Sequence, residues 1–243
     1  MNLRESATPH ASAEVIQDGW RLEIPRGDAQ RYRLAQLDDY FRLPRRKYPH
    51  ESLTIDLRAR VSSRSIPGTW GFGLWNDPQA VSVGIGGAPF LLPALPNAAW
   101  FFNASEENYL SFTDDRPGSG FLAQAFRAPG FHPLLVPAGL ALPFSRRATR
   151  KLLGKIIDED AAALSVDSTA WHRYKLEWSP VRSVFWVDGA LVLESGVSPR
   201  SPLGLVIWID NQYAAFTPSG KIRFGVLENP EPAWLEIKDL QLS

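Results

Sequence analysis

Asp210-Asn211-Gln212-Tyr213 follows an apolar run that begins at Leu203, so three hydrogen-bonding side chains and a phenol arrive together at a strand end. Such a set suits the hydroxyls of a sugar or another polar ligand. It equally suits a strand end that simply meets water. Glu106-Glu107 is a second concentration of acid, either an ordinary loop pair or a contribution to a cleft. The chain has nine tryptophans, whose flat rings stack on sugars or on apolar ligand faces. Trp20, Trp178, Trp186 and Trp234 fall in alternating patterns and read mostly as core. His10, His50, His132 and His172 stand apart, without the close spacing of a zinc site. There is no G-x-S-x-G elbow, and Gly84-Ile85-Gly86-Gly87 lacks the Lys and Ser/Thr of a phosphate loop.

The elements that must carry these residues are strands. The 243 residues are 44% hydrophobic and 12% aromatic, enough for one large sandwich. Formal net charge is zero, which gives no general electrostatic case for nucleic acid. With no cysteine, disulfides and thiol chemistry are excluded. The first twenty residues lack the apolar stretch of a signal peptide, and no uncharged run is long enough to span a bilayer. The expected location is therefore cytoplasmic.

Residues 171–194 read as three short strands. Tyr174, Leu176 and Trp178 alternate with Lys175 and Glu177, and Asp188-Gly189 supplies the positive φ of a two-residue hairpin. Leu53, Ile55, Leu57, Ala59 and Val61 alternate with polar residues in the same way. Further strands are expected at 31–37, 98–103, 109–113, 121–127, 203–213, 222–227 and 234–242. A hairpin is expected at 15–24, and residues 1–12 read as a flexible tail. Arg45-Arg46-Lys47 reads as a solvated loop. One amphipathic helix is expected after Ser145, with Thr149, Leu152, Leu153, Ile156 and Ile157 on one face and Arg147, Lys151 and Lys155 on the other. The acids 158–160 oppose the helix dipole, so the helix should break there, with a second short turn through 161–164.

The pattern W-H-x-Y-x-L-E-W, a turn, then F-W-V-D-G-x-L-V resembles the family-16 glycoside hydrolases of laminarinase and lichenase type and their concanavalin A-like relatives. Pro67-Gly68-Thr69-Trp70-Gly71-Phe72-Gly73-Leu74-Trp75 resembles the family's G-T-W-x-x-F-W strand. The resemblance implies an all-β concanavalin A-like jelly roll of two antiparallel sheets, one domain over 13–243 with an insertion at about 128–165. It also implies a sugar cleft in which Trp75, Trp100 and Trp208 stack on the ligand, with Asp210, Gln212 and Tyr213 at its edge.

The family hydrolyses glycans through a strand reading E-x-D-x-E, which is absent from this chain. On the strand after the G-T-W segment, Asn103, Ser105 and Glu107 keep the alternate spacing, leaving Asn103 as a candidate ligand-binding residue and Glu107 as the single candidate catalytic carboxylate. The resemblance further places Asp239 where relatives hold a structural calcium ion, and no other cofactor is required. The expected function is glycan binding or processing without the retaining triplet. One alternative is a small apolar ligand in a cleft lidded by the apolar stretch 131–144 and the helix. Another is that the apolar insertions 88–96 and 131–144 form a membrane or oligomer surface.

Overall fold

A computed structural model of the protein describes residues 3–78, 94–130 and 145–243. The apolar stretch 131–144 and most of 88–96, with His132 and Gly84 to Gly87, lie outside the described residues.

Sixteen strands are described: β1 (Arg4–Ala7), β2 (Ser12–Ile16), β3 (Gly19–Ile24), β4 (Leu34–Asp38), β5 (Leu53–Val61), β6 (Thr69–Trp75), β7 (Ala98–Ala104), β8 (Gly120–Arg127), β9 (Asp158–Ala163), β10 (His172–Ser179), β11 (Arg182–Val187), β12 (Ala190–Ser195), β13 (Gly204–Asp210), β14 (Gln212–Phe216), β15 (Ile222–Val226) and β16 (Ala233–Leu242). Among the described residues one α-helix, α1 (Arg146–Leu153), precedes β9. Two seven-stranded sheets run β1-β4-β13-β6-β7-β8-β9 and β12-β11-β10-β5-β16-β3-β2, every named pairing being antiparallel. They stack as the sandwich of a jelly roll.

The alternation read from sequence is what joins the sheets. Leu53, Ile55, Leu57, Ala59 and Val61 of β5 enter the inter-sheet core with Tyr174, Leu176 and Trp178 of β10. Trp70, Phe72 and Leu74 of β6 meet them from the first sheet. At the β11–β12 hairpin Asp188 and Gly189 have φ of 50° and 80°, as the Asp-Gly pair requires. On the second sheet's outer face the half-buried indoles carry cations: Arg21 and Arg60 lie over Trp234, and Lys175 over Trp186. Of the four tryptophans assigned to core, only Trp178 is fully buried; Trp20, Trp186 and Trp234 are half-buried.

The first sheet is unusual. An antiparallel sheet in a two-layer sandwich ordinarily solvates its outer face. Here β6, β7 and β13 are buried along their whole length, on both faces. Trp75, Trp100, Phe102, Phe126 and Trp208 form a second apolar cluster there. The cover includes the β14–β15 ribbon, the loop 109–116 and α1.

Several expectations need correction. The supposed tail contains β1, whose Arg4–Ala7 pairs with β4. Residues 158–163 form strand β9 rather than a helical turn, because pairing with β8 satisfies their backbone at the sheet edge. The helix ends at Leu153, so buried Ile156 and Ile157 lie in the turn to β9, and the buried helical residues are Thr149 and Arg150. Ser145 caps α1 as expected, accepting from the Ala148 amide. Residues 109–113 make only an isolated bridge, Tyr109 to Ala215. The run 203–213 breaks after Asp210, and β14 and β15 form a separate ribbon. Residues 45–47 form a single 3₁₀ turn, held where Arg45 Nε donates to the Asn76 carbonyl at 2.6 Å.

Candidate ligand-binding cavity

The outer face of the first sheet is set by strand parity. Along β6, Thr69, Gly71, Gly73 and Trp75 point outward while Trp70, Phe72 and Leu74 point into the inter-sheet core. A β-carbon on Gly71 would lie 2.8 Å from Trp208 Cη2 and closer still to the Phe101 carbonyl oxygen. One on Gly73 would lie 2.6 Å from the Trp100 α-carbon. The two glycines therefore make the room into which the rings of β7 and β13 settle.

Those rings form a continuous floor. Trp75 and Trp208 are parallel within 4° at a centroid distance of 6.0 Å. Trp100 is tilted against both, at 6.0 and 5.6 Å, and Phe102 lies 5.2 Å from Trp100 and 5.6 Å from Trp208. Each indole N–H is tied into the protein. Trp75 Nε1 donates to Tyr40 Oη at 2.8 Å, Trp208 Nε1 to Thr69 Oγ1 at 2.9 Å, and Trp100 Nε1 to Gln124 Oε1 at 3.2 Å. What the floor offers a ligand is ring surface.

Asp210 sits at the edge of this floor, buried. Thr69 Oγ1 donates to Oδ1 at 2.7 Å, Tyr32 Oη to Oδ2 at 3.1 Å, and the Gln212 amide to Oδ1 at 3.3 Å. Burial pushes its pKa up to about 6 despite these donors. Gln36 crosses from β4 opposite Trp208. Its Nε2 donates to Asp38 Oδ2 at 2.9 Å and to Tyr40 Oη at 3.4 Å, and its Oε1 has no partner among the described residues. Trp208 thus has an acceptor on either side.

Above the floor is a cavity of about 370 Å³, roofed in part by Ala214, Phe216, Ile222 and Phe224 of the ribbon and by Tyr109 and Phe112 of the loop. Volumes of about 300–1,000 Å³ are usual for small-molecule sites. Arg150 fastens the roof. Only 4% exposed, it donates to the carbonyls of Phe216 at 3.0 Å, Ser111 at 3.1 Å and Thr113 at 2.9 Å, and it pairs with Asp114. Arg147 adds a bond to the Ser219 carbonyl.

Of the residues singled out from sequence, the fold brings together Trp75, Trp100, Trp208, Asp210 and Gln212, all lining the cavity. Asn103 does not join them. It alternates with Phe102, faces the other way and pairs in register with Trp70 and Phe121. Glu107 lies exposed in the turn after β7, off the cavity, accepting from Ser105 Oγ at 2.7 Å. Tyr213 packs in the ribbon against Gly225, outside the lining. Asp239 stands at φ 56° beside a β16 bulge, its Oδ2 3.8 Å from Arg58. Among the described residues no three His, Cys, Asp or Glu side chains gather as a metal site. Sequence reasoning missed Gln36, Tyr40, Thr69 and Arg150; the one available signal was the polar residue recurring at every second position of an apolar strand, Gln36 then Asp38.

No family model matches the chain, and no curated protein matches it. Solved structures do. LamA from Z. galactanivorans, in complex with laminaritriose and laminaritetraose, is 14% identical over 99% of this chain and 91% of its own, with a TM-score of 0.53. A Bacteroides ovatus mixed-linkage glucan GH16 protein in complex with a G4G4G3G product is 9% identical over 99% and 94%, with a TM-score of 0.51. This chain spans only 17% of a sialidase that it matches at 8% identity and a TM-score of 0.45. At these identities the likeness is one of fold: the chain has the concanavalin A-like jelly roll of the family-16 glycoside hydrolases. No described helix is long and apolar enough to cross a membrane.

Proposed function

We propose that the chain binds a compact ring-bodied ligand face-on to the indole floor, and that it does not run retaining hydrolysis there. The observation that carries the reading is the floor itself: Trp75, Trp100, Phe102 and Trp208 in mutual contact under a cavity of bounded size. A glycan end-group is the first candidate, since the C–H face of a sugar ring stacks on indole and both structural neighbours hold oligosaccharides. Against hydrolysis stands the outward row of β7, which is Ala98, Trp100, Phe102 and Ala104. A retaining pair needs two carboxyl groups about 5–5.5 Å apart. Asp210 is the one acid lining the cavity among the described residues.

A second reading has its own support. A sugar needs several free hydrogen-bonding groups, yet the three indole N–H groups are already used, and Asn108 is satisfied by Gly68, Ser105 and Ala214. That favours a ligand more apolar than a polysaccharide, held at Gln36 and Asp210 by one or two donors. A thermal-shift screen of gluco- and manno-oligosaccharides against flat aromatic metabolites separates the two. Laminarin and lichenan should remain uncut. Hydrolysis with retention, abolished by Asp210→Asn or Glu107→Gln, would defeat the binding reading.

A further inference from the structure

Asp210 is the only acid lining the cavity among the described residues, and it sits buried at the edge of the floor. The lining charge on the roof is of the opposite sign. Arg223 of β15 lines the cavity, is exposed, and its side chain makes no ion pair or hydrogen bond with any described residue. Further cations lie near it on the ribbon and the helix, while the covering loop adds the exposed acids Asp114, which pairs with Arg150, and Asp115. Lys221 precedes it on the ribbon, and the Arg147 bond to Ser219 brings α1 against the ribbon turn. The sequence of α1, Arg-Arg-Ala-Thr-Arg-Lys-Leu-Leu, contains no acid, and Arg146, Arg147 and Lys151 are exposed. Beside Arg223, Phe224 leaves 76% of its surface in water.

We infer that the ligand is an amphipathic anion: a flat apolar body on the indole floor and a carboxylate or similar compact anion at Arg223. This rests on the cavity-binding reading and adds the charge of the ligand to it. A guanidinium presents two parallel N–H groups that match a carboxylate, and a free one at an apolar mouth has no other described task. Nothing in the inference requires a bond to be made or broken.

The test compares 2-naphthoate with its neutral analogue 2-naphthamide by isothermal calorimetry on the full chain. The anion should bind about three- to fivefold more tightly at low salt, the range of an exposed ion pair, and lose that advantage in high salt. Arg223→Gln should remove the preference, bringing the affinity for 2-naphthoate to that for 2-naphthamide. Equal affinities in the wild type, or a preference that survives Arg223→Gln, would overturn the inference and leave the cavity reading standing. No binding of either compound, with Trp208→Phe behaving identically, would overturn both. Sedimentation with phosphatidylglycerol vesicles in the absence of any naphthoate preference would also overturn it, by assigning the cationic rim to a lipid surface instead.

Discussion

Trp208 and Trp75 lie parallel within 4°, and Trp208 fills the space over Gly71, where a β-carbon would lie 2.8 Å from its Cη2 and closer still to the Phe101 carbonyl oxygen. Gly71 thus leaves room for one ring of the indole floor. Gly71→Ala should destabilise the protein by about 1–3 kcal/mol, the usual cost of overpacking, although alanine ordinarily improves on glycine within a strand. The check is chemical denaturation of the variant with near-ultraviolet circular dichroism of the indoles. Unchanged stability would mean that Trp208 does not depend on that gap.

Trp208→Ala should cost more, about 3–5 kcal/mol, since it empties a buried ring site and leaves Thr69 without its indole donor. Trp208→Phe keeps a ring and should retain most of the stability while weakening ligand binding. A melting curve and a titration on the same sample separate packing from recognition.

The acids of this face give a pH signature. Asp210 and Asp38 both have pKa values raised by burial to about 6, from 3.8 in the unfolded chain. The folded state therefore holds protons that the unfolded state releases between roughly pH 4 and 6. The stability this contributes is full below the lower value and lost as pH rises through the upper one, at most about 3 kcal/mol per group. Asp210→Asn should flatten that part of the profile, so its melting temperature should rise less than the wild type's between pH 7 and pH 5. An identical slope in both proteins would remove Asp210 from the account.

Arg150 should prove to be the fastening of the roof. Arg150→Lys keeps the charge but loses the fork that reaches Ser111, Thr113 and Phe216 together. Faster hydrogen exchange is expected in α1, β14 and β15, with the two large sheets unaffected. Uniform loss of protection across both sheets would show that the residue supports the whole fold instead.

Much of the sandwich is legible in the sequence because its strands obey one period. β5 and β10 alternate cleanly, and the Asp188-Gly189 turn fixes the next hairpin. What escapes is whatever depends on a partner strand. Residues 158–163 look like a helix end by charge, and only the edge of β8 makes them a strand. The break after Asp210 escapes for the same reason: Asn211 leaves the sheet to bind the backbone of Arg31, Arg33 and Leu227. The tryptophans of the floor were identifiable from the resemblance, whereas the parity of β7, which turns Asn103 inward, required the register with β6. Arg150 carried no signal, since a buried arginine on a basic helix looks like any other cation of that face.

The most direct test uses the indole N–H groups as reporters. With the nine tryptophan Nε1–H resonances assigned by substitution, a bound ligand from the screen should shift those of Trp75, Trp100 and Trp208. Trp20, Trp171, Trp186 and Trp234, which belong to the second sheet or its margin, should stay in place. Shifts confined to that second group, with the floor indoles unmoved, would contradict the assignment of the site.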